Sequence, residues 1–173
     1  MKRRIVGFHR EDEKDWVAEL ACGHGHPVRH RPPYINRPWV RSEAGRRARI
    51  GTELNCMRCE RLEWPEGLEE VRRTPEMDRA SLPVALLEEH RTGEGTWARV
   101  EVLEGRVRLV LGQPVGRELE LGPGEAGAVP PEVPHRLDLP ESGPVRLRLS
   151  FHRAPWAGLG EGARAPRRSP EPA

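Results

Sequence analysis

Val145-Arg146-Leu147-Arg148-Leu149 alternates residue by residue, so an extended chain would send its arginines to one side and its leucines to the other. That is the pattern of a β-strand with one apolar face. Working outward, short apolar runs recur between glycine- and proline-bearing turns. They are Leu82–Leu87, Trp97–Leu103, Val107–Leu111, Glu118–Leu121, Gly127–Val129 and His135–Leu139, and the opening run continues to Phe151. Short strands at regular spacing predict an all-β sandwich or barrel for the second half of the chain. Beyond Phe151 the composition turns to Gly, Ala, Pro and Arg, and residues 154–173 are expected to form a disordered tail.

The first half has a different character. Residues 1–62 hold 14 Lys/Arg against 8 Asp/Glu, a balance of +6, whereas residues 63–173 hold 15 against 19, a balance of −4. All three cysteines and four of the seven histidines lie in the basic part. This asymmetry predicts two modules, 1–62 and 68–153, joined by a linker at 63–67 around Trp64-Pro65-Glu66-Gly67. Ile5–Phe8 and Trp16–Leu20 are β-prone runs on either side of a charged turn at 10–15, which predicts a hairpin. Pro32, Pro33 and Pro38 exclude regular structure in the next segment. Ser42 can cap a helix over Glu43–Leu54 that leads into Cys56-Met57-Arg58-Cys59.

No stretch is apolar for the ~20 residues that a membrane helix needs, and no apolar core follows Met1-Lys2-Arg3-Arg4, so neither a membrane nor a secretory route is expected. An odd cysteine count beside histidines suits a reducing compartment, and a cytoplasmic location is expected. Arg41, Arg46, Arg47 and Arg49 read as a solvated helix face in preference to a nucleic-acid surface. A homodimer is left open.

Cys22-Gly23-His24 and Cys56-x-x-Cys59 together supply four soft or borderline ligands in two short-spaced pairs, as a tetrahedral zinc site requires. Gly23 would permit the tight turn that lets both its neighbours face one ion. Four protein ligands leave no open position, so this zinc would be structural and would contribute to folding. His30 is the alternate fourth ligand, and His26 is a spare. Three reduced core cysteines with surface histidines is the plainer alternative. A redox C-x-x-C is another, although no βαβ pattern surrounds it.

The stretch Cys22-Gly23-His24-Gly25-His26-Pro27-Val28-Arg29-His30-Arg31-Pro32-Pro33-Tyr34-Ile35-Asn36-Arg37-Pro38-Trp39-Val40, followed by the C-x-x-C, resembles a small bacterial family of unknown function. The resemblance spans residues 3–60. It departs at Tyr34, where the family usually has Trp, and at His26-Pro27. It supports the ligand set and implies no activity.

In the second half, Gly122–His135 resembles the second cupin motif, and Val102-Leu103-Glu104-Gly105 resembles the hairpin that closes the first. Counting back from Gly105, the metal-binding glutamate of cupins would fall at Ala98 and the two histidines near Arg91 and Gly93, so the usual ligands are missing. His90 and His135 remain, with Glu89 beside them. The stretch His90-Arg91-Thr92-Gly93-Glu94-Gly95-Thr96-Trp97, then Val102–Gly105, then Pro130–Arg136, is similar to a cupin-like family. That family also forms the N-terminal domain of tellurite-resistance protein TehB. The resemblance covers about 68–153 and implies a jelly-roll barrel that binds a small molecule or oxyanion, in a stress response. The methyltransferase domain of TehB has no counterpart here, so methyl transfer is not implied.

The expected fold is therefore an α+β zinc module followed by an all-β cupin-like barrel. The candidate ligand residues of the barrel are His90, Trp97, Arg99 and His135. His90 and His135 could instead share a second divalent metal, as in a metal-dependent dioxygenase or isomerase. An adaptor or regulator using the basic front module is the third class. Trp97 is more often core than ligand stack in such a position. Arg99 would meet an oxyanion if it shares a lumen-facing side with Trp97, and makes an exterior salt bridge otherwise.

Overall fold

The computed structural model describes residues 1–10 and 15–155. Most of the charged turn at 10–15 and the tail from 156 onward lie outside the described residues. Of the expected tail, Ala154 is described and is buried.

The fold is mostly β. In the front half, β1 (Lys2–Arg10) and β2 (Trp16–Leu20) form the antiparallel hairpin that their apolar runs predict. Two strands join them that the pattern did not mark. One is β3 (Gly25–Val28), which pairs with β2 at the sheet edge, and the other is β4 (Glu53–Asn55), which pairs with β1. The edge position tolerates Pro27, because a strand with one free side can lack an N–H. Ser42 caps α1 (Glu43–Arg47) by accepting a hydrogen bond from the Gly45 N–H at 3.0 Å. The helix stops at Arg47, short of the expected Leu54. The chain turns at Gly51, with φ of 84°, and is then taken up as β4 by the open edge of β1. α2 (Met57–Glu60) follows, with Cys56 at its N-cap.

The back half contains β5 (Glu69–Arg73), β6 (Met77–Asp78), β7 (Thr96–Glu104), β8 (Val107–Leu111), β9 (Arg117–Leu121), β10 (Ala126–Val129), β11 (His135–Asp138) and β12 (Arg146–Arg153). One sheet has the order β10-β7-β12-β5, with β6 also on β12, and the other has the order β11-β8-β9. Leu82–Leu87, expected as a strand, is instead a 3-10 turn over Val84–Leu86 that exposes Val84. The inner faces of the two sheets meet where β10 passes β8 and β9. A Cβ placed on Gly127 would lie 2.7 Å from Leu109 and 3.0 Å from Leu121, so a larger residue here would require these leucine side chains to shift. Ala98, Val100 and Val102 of β7 and Leu147 and Leu149 of β12 are buried, alternating along β7 with exposed Arg99 and half-buried Glu101.

Among the described residues no strand pairs across residues 63–67, so the sheets divide where the composition does. The linker is not a free tether, however. Trp64 is half-buried and Pro65 buried, and the buried apolar residues of both halves form one continuous cluster. A linker was expected at residues 63–67, around Trp64-Pro65-Glu66-Gly67. That expectation is corrected at Trp64 and Pro65, because a tryptophan gains more from packing than from lining a tether.

Candidate functional site

The turn between β2 and β3 closes through hydrogen bonds from Gly23 N–H to the Leu20 carbonyl at 2.8 Å and from Leu20 N–H to the His24 carbonyl at 3.0 Å. Gly23 has φ of 91°, a left-handed conformation that suits glycine. A Cβ there would also press on Leu68 at 3.1 Å and Pro65 at 3.3 Å. This turn carries Cys22 and His24 to the N-terminus of α2, where Cys56 and Cys59 wait. All four residues are buried, and their ligand atoms lie within 4.8 Å of one another.

The spacing is informative. A tetrahedral ion with Zn–S of ~2.3 Å and Zn–N of ~2.05 Å needs edges of about 3.8 Å between sulfurs and about 3.6 Å between sulfur and nitrogen. His24 Nδ1 lies 3.6, 3.4 and 3.5 Å from the Sγ atoms of Cys22, Cys56 and Cys59, and Cys22 Sγ lies 3.9 Å from Cys56 Sγ. His24 Nε2 faces the Glu63 carbonyl at 3.0 Å and therefore donates, which leaves the Nδ1 lone pair for a metal. A donor set of three sulfurs and one imidazole fits a metal such as zinc. The crowding also makes the thiols unequal. Hydrogen bonds from Cys22 and Cys59 hold the Cys56 thiol low, whereas contacts with Cys56 and Cys59, together with burial, push Cys22 up.

Three thiolates around a dication leave a charge of −1 in an apolar setting, and Arg3, only 6 % exposed, supplies a compensating cation whose charge acts on Cys59. Its guanidinium also donates to Glu132 Oε2 at 2.9 Å and to the Pro131 carbonyl at 2.6 Å, on the loop that leads into His135. Arg4 next to it forms a two-point pair with Glu94 at 2.6 and 2.7 Å. Sequence reasoning passed over Arg3, since a single arginine in a basic segment carries no local mark of burial. His30 and His26 are not part of the cluster. His30 Nδ1 instead accepts a hydrogen bond from the Arg37 N–H at 2.9 Å.

Trp97 and Arg99 are placed otherwise than the lumen reading required. They share the face of β7 opposite to Ala98, Val100 and Val102, so both point away from the space between the sheets. Arg99 is exposed there. Trp97 is 0 % exposed because the front half covers it. Its Nε1–H donates to the Cys22 carbonyl at 2.7 Å, and its ring meets that of His24 edge-on at 5.7 Å. Trp64 fits between Trp97, at 5.5 Å, and His152, at 4.9 Å, two residues paired across β7 and β12. The tryptophan expected to line a ligand site thus seats the Cys22–His24–Cys56–Cys59 cluster on the sheet. Trp64 and His152 were missed; the only signal was an aromatic residue in a supposed linker.

His90 and His135 do approach one another. Their backbones exchange two hydrogen bonds, of 3.0 and 2.9 Å, so the side chains fall on one side of the ladder. His135 alternates with half-buried Arg136 and shares its face with buried Leu137. The ring centroids are 4.2 Å apart. Each Nδ1 faces a carbonyl oxygen two residues upstream, Glu88 at 3.0 Å and Val133 at 2.8 Å, so each donates there and leaves Nε2 open. Burial lowers the pKa of His135 to about 4, with a further push from the charge of His90, against the hydrogen bond to Val133. His135 is therefore neutral at ordinary pH, and its open Nε2 is an acceptor beside the ring of His90. Among the described residues, Cys22, His24, Cys56 and Cys59 are the one set of three or more potential metal ligands brought together, so His90 and His135 have no third such partner.

Residues 72–147 match the TehB-like domain family. Residues 6–63 match a second family model, described as a protein of unknown function (DUF3565). No curated protein matches the chain. Among solved structures, a protein from E. coli strain K12 is 20 % identical with a TM-score of 0.48, covering 53 % of this chain and 96 % of its own. TehB from Haemophilus influenzae is 25 % identical with a TM-score of 0.46, covering 51 % of this chain and 32 % of that one, so the match spans about a third of TehB. EutQ from Clostridium difficile is 13 % identical with a TM-score of 0.34, covering 52 % of this chain and 64 % of its own.

Proposed function

We propose that the chain is a cytoplasmic binding protein in which a structural zinc centre braces a cupin-like, jelly-roll domain that takes a small molecule or oxyanion, as part of a tellurite-type stress response. The observation that carries the binding reading is the His90–His135 pair, two imidazoles facing one space with both Nε2 atoms open. The TehB-like match supports the tellurite-type assignment, and the close approach of the two sheets at Gly127 supports the jelly roll. The donor spacing at Cys22, His24, Cys56 and Cys59 supports zinc, with all four positions filled by protein and none left for chemistry.

Two histidines alone fall short of the three protein ligands that metal-dependent catalysis commonly uses, which favours binding over a dioxygenase or isomerase. Titration of the zinc-loaded chain with tellurite, followed through the imidazole signals of His90 and His135, tests the reading. Saturable shifts of both rings, lost in His135→Ala, are expected. Rings that do not respond while the protein remains folded would end the proposal.

A further inference from the structure

A cleft on the front half lies outside both sites described above. It has a volume of about 330 Å³ and is lined by His26, Pro27, Arg29, Ile35 and Arg37. Its lining holds two arginines and a histidine and no carboxylate. Arg29 is fixed through its Nε, which pairs with Asp15 Oδ2 at 2.9 Å, so the remaining guanidinium N–H groups keep donor capacity. Arg37 is half-buried, and among the described residues its guanidinium has no carboxylate or carbonyl partner. Its backbone N–H is tied to His30, which holds the residue in position while leaving the side chain free. His26 shares a face of β3 with fully buried Val28, so its ring is directed inward rather than to open solvent. The loop that supplies Ile35 is closed by two hydrogen bonds between Arg31 and Ile35, of 2.9 and 3.0 Å, and presents Tyr34 at 95 % exposure.

A half-buried guanidinium that has lost part of its hydration without gaining an anion is an unmet demand. Guanidinium groups match the planar and tetrahedral oxygens of carboxylates and phosphates, and Pro27 and Ile35 add apolar atoms to the lining.

We propose that this cleft binds an oxyanion, with Arg37 and Arg29 as the charged donors, His26 as a further N–H donor, and a phosphate group as the ligand chemistry. The site uses none of the residues of the His90–His135 pair, so it stands or falls separately from the function proposed above.

The test is calorimetric titration of the zinc-loaded full chain with inorganic phosphate and then with a mononucleotide, while the side-chain signals of Arg37 and His26 are followed by NMR. Saturable binding that moves both signals is expected, weakened roughly tenfold or more by Arg37→Gln. Arg99→Gln, at an exposed position on another face, should leave the affinity unchanged. Tighter binding of the mononucleotide would identify a phosphate carried on a larger molecule, and equal affinity would identify the free ion; either supports the site. No saturable binding up to ~10 mM, or an affinity equal in Arg37→Gln and the parent, would overturn it. Should Arg37→Gln fail to fold, unmoved Arg37 and His26 signals in the parent protein would overturn it just as well.

Discussion

His135 shows how one residue's environment becomes a property of the protein. It is 5 % exposed, and burial lowers its pKa to about 4. An unfolded histidine titrates near 6.5, so below that pH the unfolded chain takes up a proton that the folded chain refuses until pH 4. The stabilisation is therefore complete above pH 6.5 and fades as pH falls from 6.5 to 4, by up to about 3 kcal/mol. Denaturant midpoints measured across that range should fall, and His135→Leu should flatten that part of the profile; an unchanged slope would refute the assignment. Cys59 offers a second test at this scale. Cys59→Ser removes one of four donors at tetrahedral spacing, so zinc content should drop from about one equivalent per chain to well below half, measured by elemental analysis. A full equivalent retained by the variant would show that the sulfur is not a ligand.

At the scale of elements, β7 has two different buried faces. Its inner face, Ala98, Val100 and Val102, was legible as alternation, because strand period and burial coincide there. Its outer face at Trp97 was not, since what covers it is the Cys22–His24 turn from the other end of the chain. Trp97→Phe keeps most of the ring packing and strands the buried Cys22 carbonyl, which should cost about 1–3 kcal/mol in unfolding experiments. A loss no larger than that of an exposed substitution would mean that the hydrogen bond contributes nothing. β5 escaped reading for the opposite reason. All five of its residues are exposed, so no apolar stripe announces it, and its identity comes from pairing with β12. β4 likewise exists because β1 offers an open edge, and α1 is correspondingly shorter than Ser42 and its following residues suggested.

For the whole molecule, Arg3, Arg4, Trp64 and Trp97 tie the cysteine–histidine cluster to the back sheets and to the loops bearing Glu94 and Pro131–Glu132. Removing the metal with a strong chelator should therefore lower the melting temperature of the entire chain by about 10 °C or more, with one cooperative transition before and after. A front-half transition that separates while the back half melts unchanged would show that these contacts do not couple the two. The amino-acid sequence by itself determined the strand character of the back half, the hairpin at the front and the pool of sulfur and imidazole donors. Each of these is written in local spacing, of two residues for a strand and of x or x-x between ligands. Tertiary structure alone decided that His24 and not His30 completes the donor set, that Trp97 faces outward onto the cluster, and that His90 meets His135. Those outcomes depend on which distant surface arrives to cover a side chain, and no local pattern encodes that partner.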